Sequence, residues 1–313
     1  MSTQQVSGIY AAIVTPVDYS GAISAERFGH HARWLLRHGC HGLSLFAVTG
    51  EAASFSVGER QAALEALVHG GVPTDKLLVG VGTCARADTV ALARHALELG
   101  CRRLVMLPPY FFRQVIDEGV YRAYAEVIDA LADDRLELFL YHTPRTTGTP
   151  ITEAIIQRLL AAYPSTIRGI KDSSASLGRL RELITNFPEL AIFAGSDKEL
   201  LQVLEAGGAG TISAAANINC AVSRAVFDAF QAGDLERAAK QMRLVRHARE
   251  ALEAYPLVPA VKFVIADGQN DDQWTRVRPP LVELDNPSGQ ELLRRLEEAG
   301  CAYDPDLYTV GGG

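Results

Sequence analysis

Short apolar runs alternate with longer amphipathic stretches along most of this chain. The apolar runs span residues 8–14, 42–46, 77–81, 103–107, 137–141, 167–171, 190–194 and 210–214. They lack polar alternation, which predicts strands buried on both faces of a parallel sheet. Each is followed by a stretch of helical period: 24–37, 56–69, 86–99, 117–132, 152–163, 176–186, 197–206 and 220–231. Gly39, Gly100, Gly207 and Gly208 stand where helices should stop, because glycine enters the left-handed terminal conformation without strain. Ser24 and Thr152 stand where N-caps belong. Eight regular β-then-α units favour closure into a (β/α)8 TIM barrel over a doubly wound open sheet. The barrel should occupy residues 1–232. Residues 233–313 should form a helical appendage packed on it, with helices over 236–254, 258–266 and 288–299. The glycines at 311–313 are expected to be disordered.

Composition narrows the function without naming it. The 313 residues are 48% apolar and 21% charged, enough to build a substantial core. No apolar run approaches the roughly 20 residues that span a bilayer, and the first residues lack a signal-peptide pattern. The formal charge of −7 argues against nucleic acid or an anionic membrane as partner. Cys40, Cys84, Cys101, Cys220 and Cys301 are odd in number and widely spaced. They suggest neither a disulfide framework nor a zinc site, and a cytoplasmic setting is expected. His30 and His31 are adjacent on a helix and read as surface or packing residues. No His/Asp/Glu set gathers at the predicted strand ends, so no metal is expected.

Chemistry in such a barrel belongs at the carboxyl ends of the strands. Lys171 closes the strand Ile-Arg-Gly-Ile-Lys, in a chain with five lysines against 25 arginines. An amine held there without water could attack a carbonyl carbon and form a Schiff base. The alternative is a buried lysine paired with a carboxylate, for which Asp172 is the neighbour. Lys262 is its rival, but it lies outside the barrel repeat, and packing with a snorkelling amine is the better reading. Tyr141 ends the preceding strand and could relay protons; alone it would read as a core tyrosine. His142 points to the opposite side and should pack. The turn Val48-Thr49-Gly50-Glu51 could offer successive N–H groups to a carboxylate, or be an ordinary connection. Gly207 to Gly210 looks like a phosphate loop, but it precedes strand eight on the opposite face of the barrel, so a helix stop is preferred.

Together these residues resemble the dihydrodipicolinate synthase / N-acetylneuraminate lyase family of Schiff-base aldolases. The shared motifs are Ala-Ile-Val-Thr-Pro (12–16), Thr-Gly-Glu (49–51), Gly-Val-Gly-Thr (80–83), Pro-Pro-Tyr (108–110), Tyr-His-Thr-Pro (141–144), Gly-Ile-Lys-Asp (169–172), Ala-Gly-Ser-Asp (194–197) and Gly-Gly-Ala-Gly-Thr-Ile-Ser-Ala (207–214). The resemblance implies a barrel with a C-terminal helical segment, assembled as a homo-oligomer, commonly a tetramer. It implies that Lys171 forms the imine with pyruvate or another 2-keto acid and that Tyr141 relays protons. Val48 and Thr49 would receive the keto-acid carboxylate, and main-chain groups near Gly195 and Ile212 would line the pocket. No cofactor beyond the covalent imine is implied.

The chain also departs from that pattern. Val48 replaces a hydroxyl residue, so it cannot bridge a proton relay. Phe111 stands where the synthase carries a tyrosine lent to a neighbouring subunit. Arg145 follows Pro144 directly, one place earlier than the synthase's carboxylate-binding arginine. These departures favour a lyase acting on a 2-keto acid or sugar acid, by aldol chemistry or dehydration. Phe111 and Phe112 leave room for a less polar aldehyde partner. Two alternatives stand beside it. One is 4-hydroxy-tetrahydrodipicolinate synthase activity, with Arg145 or Arg113 as the substitute arginine. The other is a keto-acid-binding barrel that has lost catalysis, since fold alone does not prove chemistry.

Overall fold

The computed structural model describes residues 6–303; the glycines at 311–313 lie outside them. Among the described residues, eight parallel strands close into a barrel in chain order. They are β1 (Gly8–Ala12), β2 (Gly42–Leu45), β3 (Leu77–Gly80), β4 (Arg103–Met106), β5 (Glu137–His142), β6 (Ile167–Asp172), β7 (Ala191–Ala194) and β8 (Gly210–Ser213). β8 pairs back onto β1, from Gly8 with Gly210 to Ala11 with Ser213. The predicted (β/α)8 barrel with a C-terminal helical segment is what the chain forms.

Side chains alternate across each strand. Ile9, Leu43, Leu138, Leu140, Ile170 and Ile192 point outward into a core shared with the helices. Tyr10, Leu78, Val105, Phe139, Tyr141, Phe193 and Ile212 fill the interior. One glycine in the interior is forced. A Cβ on Gly42 would lie 2.2 Å from the ring of Tyr10, so the large side chain on β1 requires none on β2.

The outer layer is α1 (Ala25–Arg37), α2 (Val57–His69), α3 (Arg86–Glu98), α4 (Asp117–Leu131), the one-turn α5 (Pro144–Thr147), α6 (Glu153–Ala162), α7 (Leu177–Asn186), α8 (Leu200–Glu205) and α9 (Ala216–Gln231). Thr152 caps α6 as expected, accepting from Ile155 N–H at 3.3 Å. Ser24 occupies the N-cap position of α1 but its side chain caps nothing. Two helices begin differently from expectation. A 3-10 turn over Asp197–Glu199 precedes α8. α9 starts four residues early and kinks at Asn219 (φ −122°, ψ 19°), since residues 214–219 already turn tightly at the exit of β8.

That turn carries Asn217, fully buried, which locks the barrel's seam. Its Oδ1 accepts from Val14 N–H at 3.2 Å, and its Nδ2 donates to Ala12 and Ala214 carbonyls at 2.9 and 2.8 Å. One side chain thus ties the exit of β1 to the exit of β8. His31 Nε2 meets the same Oδ1 at 3.1 Å. Burial of that ring between Trp34 and Trp274 pushes its pKa down to about 4.

The C-terminal helices α10 (Leu235–Glu253), α11 (Leu257–Gln269) and α12 (Asn286–Glu298) share a second core. Leu252, Val261, Val264, Trp274, Leu292 and Leu296 pack there with Val14, Ala215 and Ile218 from the barrel's mouth. The appendage therefore sits against the β1 and β8 exits. No helix among the described residues is long and apolar enough to cross a membrane.

Two predictions follow from the seam. Asn217→Ala removes the partners of three buried backbone groups, each costing ~1–3 kcal/mol when unpaired. Chemical denaturation should show a loss of several kcal/mol. His31 takes up its proton near pH 4 when folded and near 6.5 when unfolded. Stability should therefore fall as pH drops from about 6.5 to 4, by on the order of 3 kcal/mol from this ring. Urea midpoints across that range should fall less steeply in His31→Leu.

Candidate active site

The pairing of β5 with β6 sets Tyr141 beside Lys171, and β6 with β7 sets Lys171 beside Phe193. All three point inward. Lys171 is 2% exposed, and its amine lies 4.2 Å from the centroid of the Tyr141 ring. Among the described residues, no carboxylate comes within ion-pair distance of that amine. Asp172, the neighbour weighed as its partner, faces the other way. It pairs with Arg179 at 2.8 Å and accepts from Ser174 N–H at 2.8 Å. His142 also faces outward and packs there, accepting from Ile151 N–H at 3.0 Å. Burial pushes its pKa down to about 4, against the pull of Asp172. The strand thus delivers two adjacent ionisable residues to opposite sides: Lys171 to the interior and Asp172 to the helix layer.

The rim of the interior is built by the next exits. Ile212 is fully buried and packs in the interior cluster with Tyr141 and Phe193. Gly195 follows β7, and its N–H donates to the Asp172 carbonyl at 2.7 Å. A Cβ there would meet Ser173 Oγ at 1.9 Å, so only glycine lets the β6 and β7 exits approach this closely.

The turn after β2 brings Thr49 to 9% exposure and leaves Val48 at 40%. It closes through Glu51 N–H to the Val48 carbonyl at 3.1 Å and Ala52 N–H to the Ala47 carbonyl at 3.3 Å. The N–H groups of Val48, Thr49 and Gly50 make no hydrogen bond within the described residues. Thr15 Oγ1 donates to the Gly50 carbonyl at 2.8 Å. The carbonyls of Ala47, Val48 and Gly50 are thus occupied, while a run of three unbonded donors stays available for an anion. No hydrogen bond reaches the Tyr141 hydroxyl from the described residues.

Lys262 corrects the sequence reading. Its amine does not snorkel: the residue is 0% exposed, makes an ion pair with Glu51 and donates to the Arg276 carbonyl at 2.8 Å. The long stem cannot reach water because α11 is sandwiched between α12 and the barrel, so the charge needed an internal partner. Burial lowers its pKa while Glu51 opposes that shift. Phe111 and Arg145 are not gathered with Lys171. Phe111 is 80% exposed with φ +87°, its ring edge-on to Phe112, and Arg145 is exposed on α5.

A cleft of about 650 Å³ opens beside the mouth, lined by Val48, Arg60, Tyr110, Thr146, Thr147 and Leu281 among others. Lys171 lies deeper and is not on its wall. Arg60 is 3% exposed; it donates to the Gly80 carbonyl at 2.6 Å and lies over the Phe46 ring. Its buried Nε has no partner, and burial pushes its pKa down to about 10. Arg60 and Glu51 were not assigned functional roles from sequence. Glu51 had a signal, as the last residue of Thr-Gly-Glu; Arg60 reads as one more helical arginine until the fold buries it.

Comparison with known proteins now bears on this geometry. The sequence profile of the dihydrodipicolinate synthetase family matches residues 5–299. An uncharacterized DapA-like lyase of Chloroflexus aurantiacus is 36% identical over 301 residues, covering 95% of this chain and 98% of the relative. The 4-hydroxy-tetrahydrodipicolinate synthase 1 of Streptomyces coelicolor is 33% identical over 287 residues, covering 92% of each. YagE, a prophage protein from E. coli K12 crystallised with pyruvate, superimposes with a TM-score of 0.86 at 26% identity, covering 94% of this chain and 99% of that one. The chain belongs to the dihydrodipicolinate synthetase family and is a lyase.

Proposed function

We propose that Lys171 forms a Schiff base with pyruvate or a longer 2-keto acid, and that the enzyme makes or breaks a bond beside that carbonyl. The observation that carries this reading is the environment of the amine. It is buried at a strand's carboxyl end, has no carboxylate partner among the described residues and faces a tyrosine ring. An unpaired buried lysine has a cost and brings no ion pair in return, so a chemical role accounts for it best. The 26%-identical YagE, crystallised with pyruvate, supports the substrate class.

The neutral amine attacks the C2 carbonyl carbon, and loss of water from the carbinolamine leaves a protonated imine. That cation is an electron sink. In the cleavage direction, a proton leaves the C4 hydroxyl and the C3–C4 electron pair flows into the imine. An aldehyde departs and an enamine remains. Protonation at C3 and hydrolysis then release pyruvate and free Lys171. Tyr141 moves the protons. The unbonded N–H groups of Val48, Thr49 and Gly50 receive the substrate carboxylate, and Gly195 and Ile212 shape the pocket wall.

Val48 bears on substrate choice. Without a hydroxyl beside it, Tyr141 must pass protons through water or through the substrate itself. A 2-keto sugar acid carries its own hydroxyl next to the bond that breaks. We therefore favour a sugar-acid aldolase or dehydratase over the lysine-pathway synthase, whose arginine has no buried counterpart here because Arg145 is exposed. We read the working form as a cytoplasmic homo-oligomer, supported by the exposed apolar surface of Phe111, Phe112 and Ile116.

Two measurements test the proposal. Borohydride reduction in the presence of pyruvate should leave a pyruvyl adduct that peptide mapping places on Lys171, and Lys171→Ala should form none. An adduct on Lys262, or no adduct with any 2-keto acid, would sink the Schiff-base reading. Exchange of the pyruvate methyl protons with deuterated water, followed by NMR, reports the enamine without any second substrate. Tyr141→Phe should slow it by about 10²-fold, the ordinary worth of a positioned acid or base, and an unchanged rate would remove Tyr141 from the relay.

A further inference from the structure

The C-terminal segment reaches back to the turn after β2 in a way that packing alone does not require. Glu51, the last residue of that turn, adopts a left-handed conformation (φ +55°, ψ 30°), and Phe46, just before the turn, has φ +48°. Non-glycine residues enter that region at a cost of ~1–2 kcal/mol each and stay there only when their surroundings hold them. The side-chain partners of Glu51 come from one place. Lys262 on α11 meets Oε1 in an ion pair, and Arg278 N–H donates to Oε2 at 3.1 Å. Glu51 is 5% exposed and Lys262 is 0% exposed, so this is a buried charge pair rather than a surface contact.

Arg278 fastens the same region with its side chain. Its guanidinium donates to the Ser54 carbonyl at 2.8 Å and to the Gly21 carbonyl at 2.8 Å. It also pairs with Glu59 and lies 4.4 Å from the centroid of the Phe55 ring. Glu59 is the N3 residue of the capping box that starts α2. So the Phe46–Glu51 turn is gripped at Glu51 and again at the start of α2, both times by residues from beyond the barrel. Lys262 Nζ also bonds the Arg276 carbonyl at 2.8 Å, which joins the two grips into one strap.

We infer that the 262–278 segment is a positioning strap for the anion-receiving turn, with Lys262 and Arg278 as positioning residues acting through Glu51. They need touch no substrate. Their work is to hold Val48, Thr49 and Gly50 with their N–H groups presented together. The functional half of this inference rests on the Schiff-base reading above; the hold on the turn does not.

The test uses the full-length protein with two readouts. One is the pyruvate concentration that gives half-maximal borohydride trapping. The other is amide hydrogen exchange of the peptide covering 46–52. Arg278→Met cuts the outer grip without unburying a charge. Glu51→Gln combined with Lys262→Met removes the inner pair together, avoiding the bare buried charge that either partner's loss would leave. Arg294→Met, on the exposed face of α12, is the control. Each strap variant should raise the half-saturating pyruvate about tenfold, keep its trapping plateau within about twofold, and speed exchange in 46–52, while the control moves neither readout. A merely structural role would lower the plateau and leave half-saturation alone, and that result overturns the inference. So do folded strap variants with wild-type values in both readouts. If the wild type traps no 2-keto acid, the Schiff-base reading falls and exchange still decides the strap. Unchanged protection would then end it, and lost protection would uphold the hold on the turn.

Discussion

A closed parallel barrel leaves each strand residue two directions, and that constraint places everything else. Tyr141 and Lys171 are paired across β5 and β6 and so must point the same way. His142 and Asp172 are paired one step further and must point the other way. A shift of one residue in β6 would put Asp172 in the interior and Lys171 among the helices, and the same shift in β5 would exchange Tyr141 with His142. The seam between β1 and β8 preserves that register, because closure allows no strand to slide independently. Asn217 guards the seam at the mouth, where one amide side chain serves three backbone groups. The catalytic geometry proposed here is in that sense a property of the whole ring, although few of its residues touch substrate.

The two buried lysines show why burial alone is a poor guide to chemistry. Lys171 and Lys262 are both within 2% of full burial. Lys262 is matched by Glu51, so its charge is balanced and its amine is occupied. Lys171 faces an aromatic ring and, among the described residues, no carboxylate. The first arrangement stabilises a contact between distant segments. The second leaves an amine without an ion-pair partner among the described residues, as the proposed imine chemistry requires. What separates them is the partner, and partners are set by tertiary structure.

That is also where sequence legibility ends. The strands were legible because their faces are both apolar, and their observed limits fall within two residues of those expected. The helix layer was legible from its period and its glycine stops. The place of Lys171 at an inward-facing strand end, beside Tyr141, was legible from the strand pattern alone. Lys262 was misread because its partner is 211 positions away, on another element, and no local pattern encodes that pairing. The start of α9 is hidden because Asn217 and Asn219 look like loop residues until Asn217 is seen satisfying the β1 exit. Phe111 and Arg145 come from counting along loops, and in the single chain both are exposed and stand away from Lys171.

Val48 is where fold and chemistry press on one another most directly. The unbonded N–H groups of the turn that carries it belong to the main chain, so the anion-receiving role proposed for them does not depend on which side chain stands at position 48. On the proposed mechanism, a methyl in place of a hydroxyl there leaves carboxylate binding possible and takes away one proton station. The Tyr141 hydroxyl then has no protein hydrogen bond among the described residues, and it can be served by whatever enters the barrel. A substrate with a hydroxyl beside its scissile bond supplies that station only when it is bound. Selection among 2-keto acids would then come from completing the relay, in addition to filling the pocket. Under this logic the loss of one side-chain oxygen narrows the set of productive substrates without dismantling the imine chemistry, because the two functions are carried by different atoms of the same turn.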